Sequence, residues 1–219
     1  MTAFAHASVV YLHGFASSPG STKARAFDQA LRARHVEAQI PDLNEGDFRN
    51  LTVSRQLATL DRLTASAAPR SVVVIGSSLG GYTSAIFAAQ SDKVAALVLM
   101  APAFDFARRW AERLGPEQMQ RWQRDGQTLT FHHRTGRDEL IGFGLMQDAA
   151  SHPPFPDVRV PTLIIHGRQD DVVDPDLSVR FARERANVDL ELIDADHGLS
   201  GAVDWVVARS LSWLERLVE

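Results

Sequence analysis

The stretch from Ser71 to Gln90 constrains this chain more than any other, because it joins a short β-branched run to an Ala-rich segment through glycines and serines. Val72, Val73, Val74 and Ile75 are apolar on both parities, which predicts a strand covered on both faces, as in a parallel sheet with helices above and below. The next residues, Gly76-Ser77-Ser78-Leu79-Gly80, fit G-x-S-x-G, in which a sharp strand-to-helix turn presents a serine at the top of a sheet. Side chains at positions 76 and 80 would collide with the neighbouring backbone in so tight a reversal, and the helix N-terminus behind Ser78 favours nearby negative charge. A dinucleotide loop needs G-x-G-x-x-G, and Ser78 stands where its middle glycine belongs. An ordinary βα turn is the plainer alternative.

The rest of the chain repeats the alternation of strand and helix. Ser8–Leu12 reads as a first strand, 23–34 as a helix and 37–40 as a weaker strand. A helix near 53–67 follows, then the serine turn and its helix, then a buried strand at 95–100. After an interruption, 161–165, a helix near 177–185, a strand at 188–193 and a final helix over 202–217 complete the series. That final helix offers Trp205, Leu211 and Leu214 to the core. This order predicts an α/β fold with an open parallel sheet and helices on both faces, whose site lies beyond the carboxyl ends of the strands.

The interruption spans about 101–157. Phe104, Phe106, Trp110 and Leu114 predict one short amphipathic helix, and Pro116 opens a second around Met119 and Trp122. Residues 127–133 alternate like a strand, with a return over 139–142 and a helix near Leu145. The segment is too long for a plain loop and too short for a second domain, so it reads as a lid on a single domain of residues 1–219. Phe15, Phe104, Trp110, Phe143 and Met146 are candidates to line an apolar pocket, although aromatic residues at this spacing also serve as plain core. A lid this small predicts that the pocket takes short to medium chains.

Three polar side chains fall at ends of separate strands. Ser78 follows the third strand, Asp170 the one ending at His166, and His197 the last. The imidazole would serve as base, and an aspartate is needed to hold its tautomer. Asp170 sits nearest the strand end; Asp171 is the alternative, and Asp171 and Asp174 are also placed to cap the next helix. The backbone N–H groups of Leu79, just after the serine, and of Phe15, in the first βα loop, are the expected oxyanion donors. His13 reads as a residue of the turn. His132 and His133 are adjacent and point to opposite faces of a strand, so they cannot share a metal. His6, His35, His152 and His166 have no evident partner.

Composition narrows the class. The chain has 219 residues, 45% of them hydrophobic and 23% charged, with a formal net charge of −4. Nothing in this points to nucleic acid. There is no cysteine, which excludes disulfides, thiolate metal sites and a cysteine nucleophile. No signal-like n-region opens the chain and no stretch approaches the roughly 18 apolar residues of a membrane span, so a cytoplasmic location is the expectation.

On these residues the chain resembles the α/β-hydrolase superfamily over essentially its full length: the His13-Gly14 loop, the Gly76–Gly81 turn, the segment from His166 to Asp170, and Asp196-His197. The opening from Tyr11 to Lys23 is similar to small bacterial YqiA-type esterases, and the turn and lid are similar to abhydrolase-domain acyl thioesterases. The resemblance implies a trimmed sheet of about six strands, because the family's usual first two strands have no room here. It also implies a Ser78–Asp170–His197 triad hydrolysing a small-molecule ester or thioester without cofactor or metal. Asp174 stands where the family commonly has proline, with Pro175 one place late, which keeps the choice of aspartate open. Other hydrolysis on the same triad, including C–C bond cleavage, and a non-catalytic binder of the same fold are the alternatives.

Overall fold

A computed structural model describes residues 7–217. Six strands form one sheet in the order β2-β1-β3-β4-β7-β8: β1 (Ser8–Leu12), β2 (Ala38–Gln39), β3 (Val72–Ser77), β4 (Val94–Met100), β7 (Thr162–Gly167) and β8 (Val188–Ile193). Every pairing in that sheet is parallel. The helices are α1 (Thr22–Arg32), α2 (Val53–Leu63), α3 (Leu79–Gln90), α4 (Phe106–Asp125), α5 (Gly144–Ala149), α6 (Asp176–Arg183) and α7 (Val203–Arg216). A separate antiparallel hairpin joins β5 (Gln127–His132) to β6 (Arg137–Gly142).

Strand parity sorts the core into two layers. Val9, Tyr11, Val73, Ile75, Val98 and Leu163 face α1 and α7, against Phe27, Leu31, Val206 and Leu211. Val10, Leu12, Val74, Leu97, Leu99 and Ile164 face the other side, against residues of α2, α3, α5 and α6. The continuous apolar runs of β3 and β4 are therefore required by burial on both faces. Burying a ring such as Phe27 completely contributes about 1.5–3 kcal/mol of transfer free energy, so this two-sided pattern fixes the register of the sheet.

Local signals set several helix starts. The Ser21 hydroxyl accepts the N–H of Ala24 and the Thr52 hydroxyl that of Arg55, which caps α1 and α2. Helix α4 is broken at Gly115 (φ 76°, ψ 165°), immediately before Pro116. Proline disfavours helical backbone in the residue before it, and glycine tolerates the positive φ taken there, so the expected pair of helices appears as two arms meeting at that kink.

One core expectation is corrected. Trp205 is 46% exposed, while Val206, Val207, Ser210, Leu211, Trp213 and Leu214 form the buried stripe of α7. Position 205 lies off that stripe. The buried indole is Trp213, whose Nε1–H donates to Asp189 Oδ2 at 2.6 Å.

Between β4 and β7 the chain lies over the β1–α1 loop. The His133 N–H donates to Ala16 O at 2.9 Å, and Trp122 Nε1–H to Ile141 O at 3.1 Å, joining α4 to the hairpin. A Cβ at Gly142 would stand 2.8 Å from Arg49 O, so the end of the hairpin sits directly on the 3-10 turn Phe48–Asn50.

Candidate active site

Close backbone packing builds the turn after β3. A Cβ on Gly80 would stand 2.6 Å from Leu12 O and closer still to His13 O. One on Gly76 would stand 2.6 Å from Gly80 O and 2.7 Å from Gly81 Cα. Only glycine lets α3 start this near β1 and β3. The reversal is completed by Ser78, whose φ of 54° and ψ of −119° are costly for a residue with a Cβ. Its N–H donates to Met100 O at 2.9 Å, and its carbonyl accepts the Ala103 and Tyr82 N–H groups at 3.0 Å each. The strained conformation is thus held from both sides.

His197 stands in the β8–α7 loop with Nε2 3.0 Å from Ser78 Oγ and Nδ1 2.7 Å from Asp170 Oδ2. Because the carboxylate only accepts, the ring proton is on Nδ1, and Nε2 is free to accept the serine O–H. The Asp170 side chain is inaccessible to solvent, and that of His197 is 22% exposed. Burial pushes the Asp170 carboxyl up, but hydrogen bonds from His166, His197 and the Val173 N–H outweigh it and hold the group well below the usual carboxylate range. Oδ1 also receives the N–H groups of Val172 at 2.9 Å and Val173 at 2.8 Å.

The three candidate aspartates differ in what they touch. Asp170 faces His197; Asp171 is exposed; Asp174 accepts the Asp176 N–H at 3.0 Å in the cap of α6. The extra residue before Pro175 therefore leaves the contact with His197 intact.

The two expected oxyanion donors flank Ser78. Leu79 is the first residue of α3, and a Cβ on Gly14 would lie 3.2 Å from Ser78 Cβ, so the loop carrying Phe15 passes directly beside the serine. Among the described residues, neither the Phe15 nor the Leu79 backbone N–H has a protein acceptor. The Phe15 ring is held edge-on by Trp110 of α4, centroids 4.6 Å apart.

Of the proposed pocket residues, Phe143 and Met146 line an apolar cavity of about 520 Å³ with Tyr82, Phe106 and Met119. Phe104 does not. It is 1% exposed and stacks on Phe181 at 4.2 Å, in the core. Trp110 packs against Phe15, Phe106 and Trp122, where it supports the first loop.

Several histidines acquire partners that sequence reasoning could not supply. His13 is buried; its Nε2 accepts the Leu43 N–H at 3.0 Å, so Nδ1–H donates to Gly14 O at 2.9 Å and the ring braces the loop. His152 meets Ser54 Oγ at 3.1 Å and lies along the apolar cavity. His132 is packed edge-on against Phe48. His35 is exposed, and His6 lies outside the described residues. Most important, His166 Nε2 is 3.0 Å from Asp170 Oδ2. Its spacing of four from Asp170, across the turn ending β7, was the available signal. Lys23 was also missed: its ammonium donates to Gly198 O at 2.9 Å, tying α1 to the His197 loop. Among the described residues there is no cluster of three or more potential metal ligands, and no helix long and apolar enough to cross a membrane.

A family model described as "Uncharacterised protein family (UPF0227)" matches residues 8–208. Palmitoyl-protein thioesterase ABHD10, mitochondrial, from Bos taurus is 24% identical over 210 residues, covering 90% of this chain and 68% of that protein. Among solved structures, alpha/beta hydrolase domain-containing protein 10 from mouse superposes with a TM-score of 0.80 at 20% identity, covering 96% of this chain and 90% of that one. Est1E from Butyrivibrio proteoclasticus gives 0.78 at 19% identity, covering 97% and 89%. The fold is that of the α/β-hydrolases, and the relatives are of esterase and thioesterase type.

Proposed function

The chain belongs to the uncharacterised protein family UPF0227, and from that premise we propose that it is a serine hydrolase of carboxylic esters or thioesters working through an acyl-enzyme. The observation that carries this reading is the unbroken contact from Ser78 Oγ through His197 to Asp170, at 3.0 and 2.7 Å.

In the proposed reaction His197 Nε2 takes the Ser78 proton as Oγ attacks the acyl carbon. The negative charge that develops on the acyl oxygen is received by the Leu79 and Phe15 N–H groups and by the N-terminus of α3. Asp170 keeps the proton of the neutral ring on Nδ1 and stabilises the imidazolium. The imidazolium then protonates the departing alcohol or thiol, and the acyl group remains on Ser78. Water, deprotonated by the same ring, releases the acid and restores the serine. No cofactor enters the scheme.

The chain acts in this reading as one catalytic domain in a cytoplasmic setting, with residues 101–157 as its lid. In this reading the apolar cavity bordered by Phe143 and Met146 receives the acyl group, and the small lid favours short to medium chains. The bovine relative's name makes thioesters the first substrates to try beside p-nitrophenyl esters.

A fluorophosphonate should label the wild-type chain once, at Ser78. Ser78→Ala should abolish labelling and lower ester turnover at least about 10³-fold. A Ser78→Ala protein with undiminished turnover would remove the proposal.

A further inference from the structure

His166 takes no part in the proton transfers above, yet it is fully buried against the carboxylate on which they depend. Its Nε2 faces two groups that can only accept, Asp170 Oδ2 and Val173 O, each at 3.0 Å. Nε2 therefore carries a proton whatever the charge on the ring. On the other side, Nδ1 lies 2.7 Å from the hydroxyl of Ser178, itself buried on α6. The ring is pinned between the end of β7 and α6, with its Nε2 proton shared between Asp170 and the Val173 carbonyl.

Oδ2 of Asp170 is thus shared. It accepts from His197 Nδ1 at 2.7 Å and from His166 Nε2 at 3.0 Å, while Oδ1 is held by the two valine N–H groups. A carboxylate with one oxygen fixed and the other approached by two imidazoles cannot rotate away from either. Two further ionisable groups lie beside the cluster: Lys23, which faces Asp170 from α1, and Asp196, which faces Lys23 and His197 from the β8–α7 loop.

We propose that His166, backed by Ser178, is a positioning residue that fixes the Asp170 carboxylate on His197 and moderates how strongly that carboxylate holds the imidazolium. The proposal rests on the serine-hydrolase reading. Removing the His166 donor concentrates negative charge on Oδ2 facing His197 and frees the carboxylate to turn. The two effects have separate signatures: a rise in the pH at which activity is half-lost on the acid side, and a fall in kcat with KM nearly constant.

The test compares His166→Leu, His166→Asn and His166→Gln. Leucine removes the donor. The asparagine amide is too short to reach Asp170, and the glutamine amide can place its N–H₂ where Nε2 stood. Leu and Asn should lower kcat about tenfold, as for loss of one hydrogen bond to a charged group, with KM within about twofold of wild type and the acid limb of kcat/KM moved up by about half a pH unit. Gln should return both to near wild-type values. If Leu does not fold, the Asn and Gln pair decides alone. Equal kinetics and equal acid limbs for Gln and Asn, or a folded Leu variant with wild-type behaviour, would overturn the proposal. Fluorophosphonate labelling of the wild type separates this failure from that of the underlying reading. A labelled Ser78 with unmoved limbs sinks only the role of His166, whereas an unlabelled Ser78 sinks the hydrolase.

Discussion

Asp170→Asn should be far more damaging than loss of one charge suggests, because the surroundings dictate which way the amide turns. In the native site Oδ1 receives two backbone N–H groups and Oδ2 faces two imidazole nitrogens. An asparagine can keep its oxygen toward Val172 and Val173 only by turning its NH₂ toward both rings. His197 must then accept at Nδ1 and carry its proton on Nε2, facing Ser78, where it cannot serve as base. His166 keeps its Nε2 proton on Val173 O at 3.0 Å and loses its second acceptor. The opposite orientation would leave two valine N–H groups without acceptors, at a cost of about 1–3 kcal/mol each, or about 2–6 kcal/mol together. With 1.4 kcal/mol to the decade, even the lower figure leaves only about one molecule in 30 with the amide oxygen toward His197. That fraction still lacks the negative charge. Turnover of a p-nitrophenyl ester should therefore fall between about 10² and 10⁴-fold, the upper figure being that expected when the wrong tautomer is fully imposed. Thermal unfolding and circular dichroism should show a folded protein. A folded variant within tenfold of wild type would refute both the tautomer reasoning and the place of Asp170 in the reaction.

Gly80→Ala would put a methyl 2.6 Å from Leu12 O, with backbone on both sides. The start of α3 must move, which should cost about 1–3 kcal/mol in a urea melt and about tenfold or more in turnover as the Leu79 N–H leaves its place; wild-type values in both would show the contact to be soft. Asp170 also governs acid stability. Its carboxyl is depressed in the folded chain and ordinary, near 3.9, in the unfolded one. Its contribution is therefore complete above the ordinary carboxylate range and is lost as pH falls from there through the lowered folded value. Denaturant unfolding from pH 7 to pH 3 should show wild type losing stability more steeply than Asp170→Asn in the acid part of that range, with parallel curves above about pH 5. Parallel curves throughout would exclude the linkage.

The sequence alone determined the sheet and its chemistry-bearing edge. Continuous apolar runs at β3 and β4 admit only two-sided burial, Gly76 and Gly80 bracket a serine in a turn no bulkier residues could make, and Pro116 fixes the break in α4. These are local statements, and local sterics enforce them. The partners of side chains distant along the chain were decided by tertiary structure. Trp110 and Phe104 carry the same apolar signal as Phe143 and Met146, yet Trp110 braces the Phe15 loop and Phe104 is sealed against Phe181. Trp205, expected in the core, is exposed while Trp213 is buried, since a helix buries only the stripe its neighbours cover. His166 lies four residues from Asp170 in an ordinary-looking strand end. Only the folding of α6 against β7, which brings Ser178 behind its ring, turns it toward the carboxylate and makes that spacing matter.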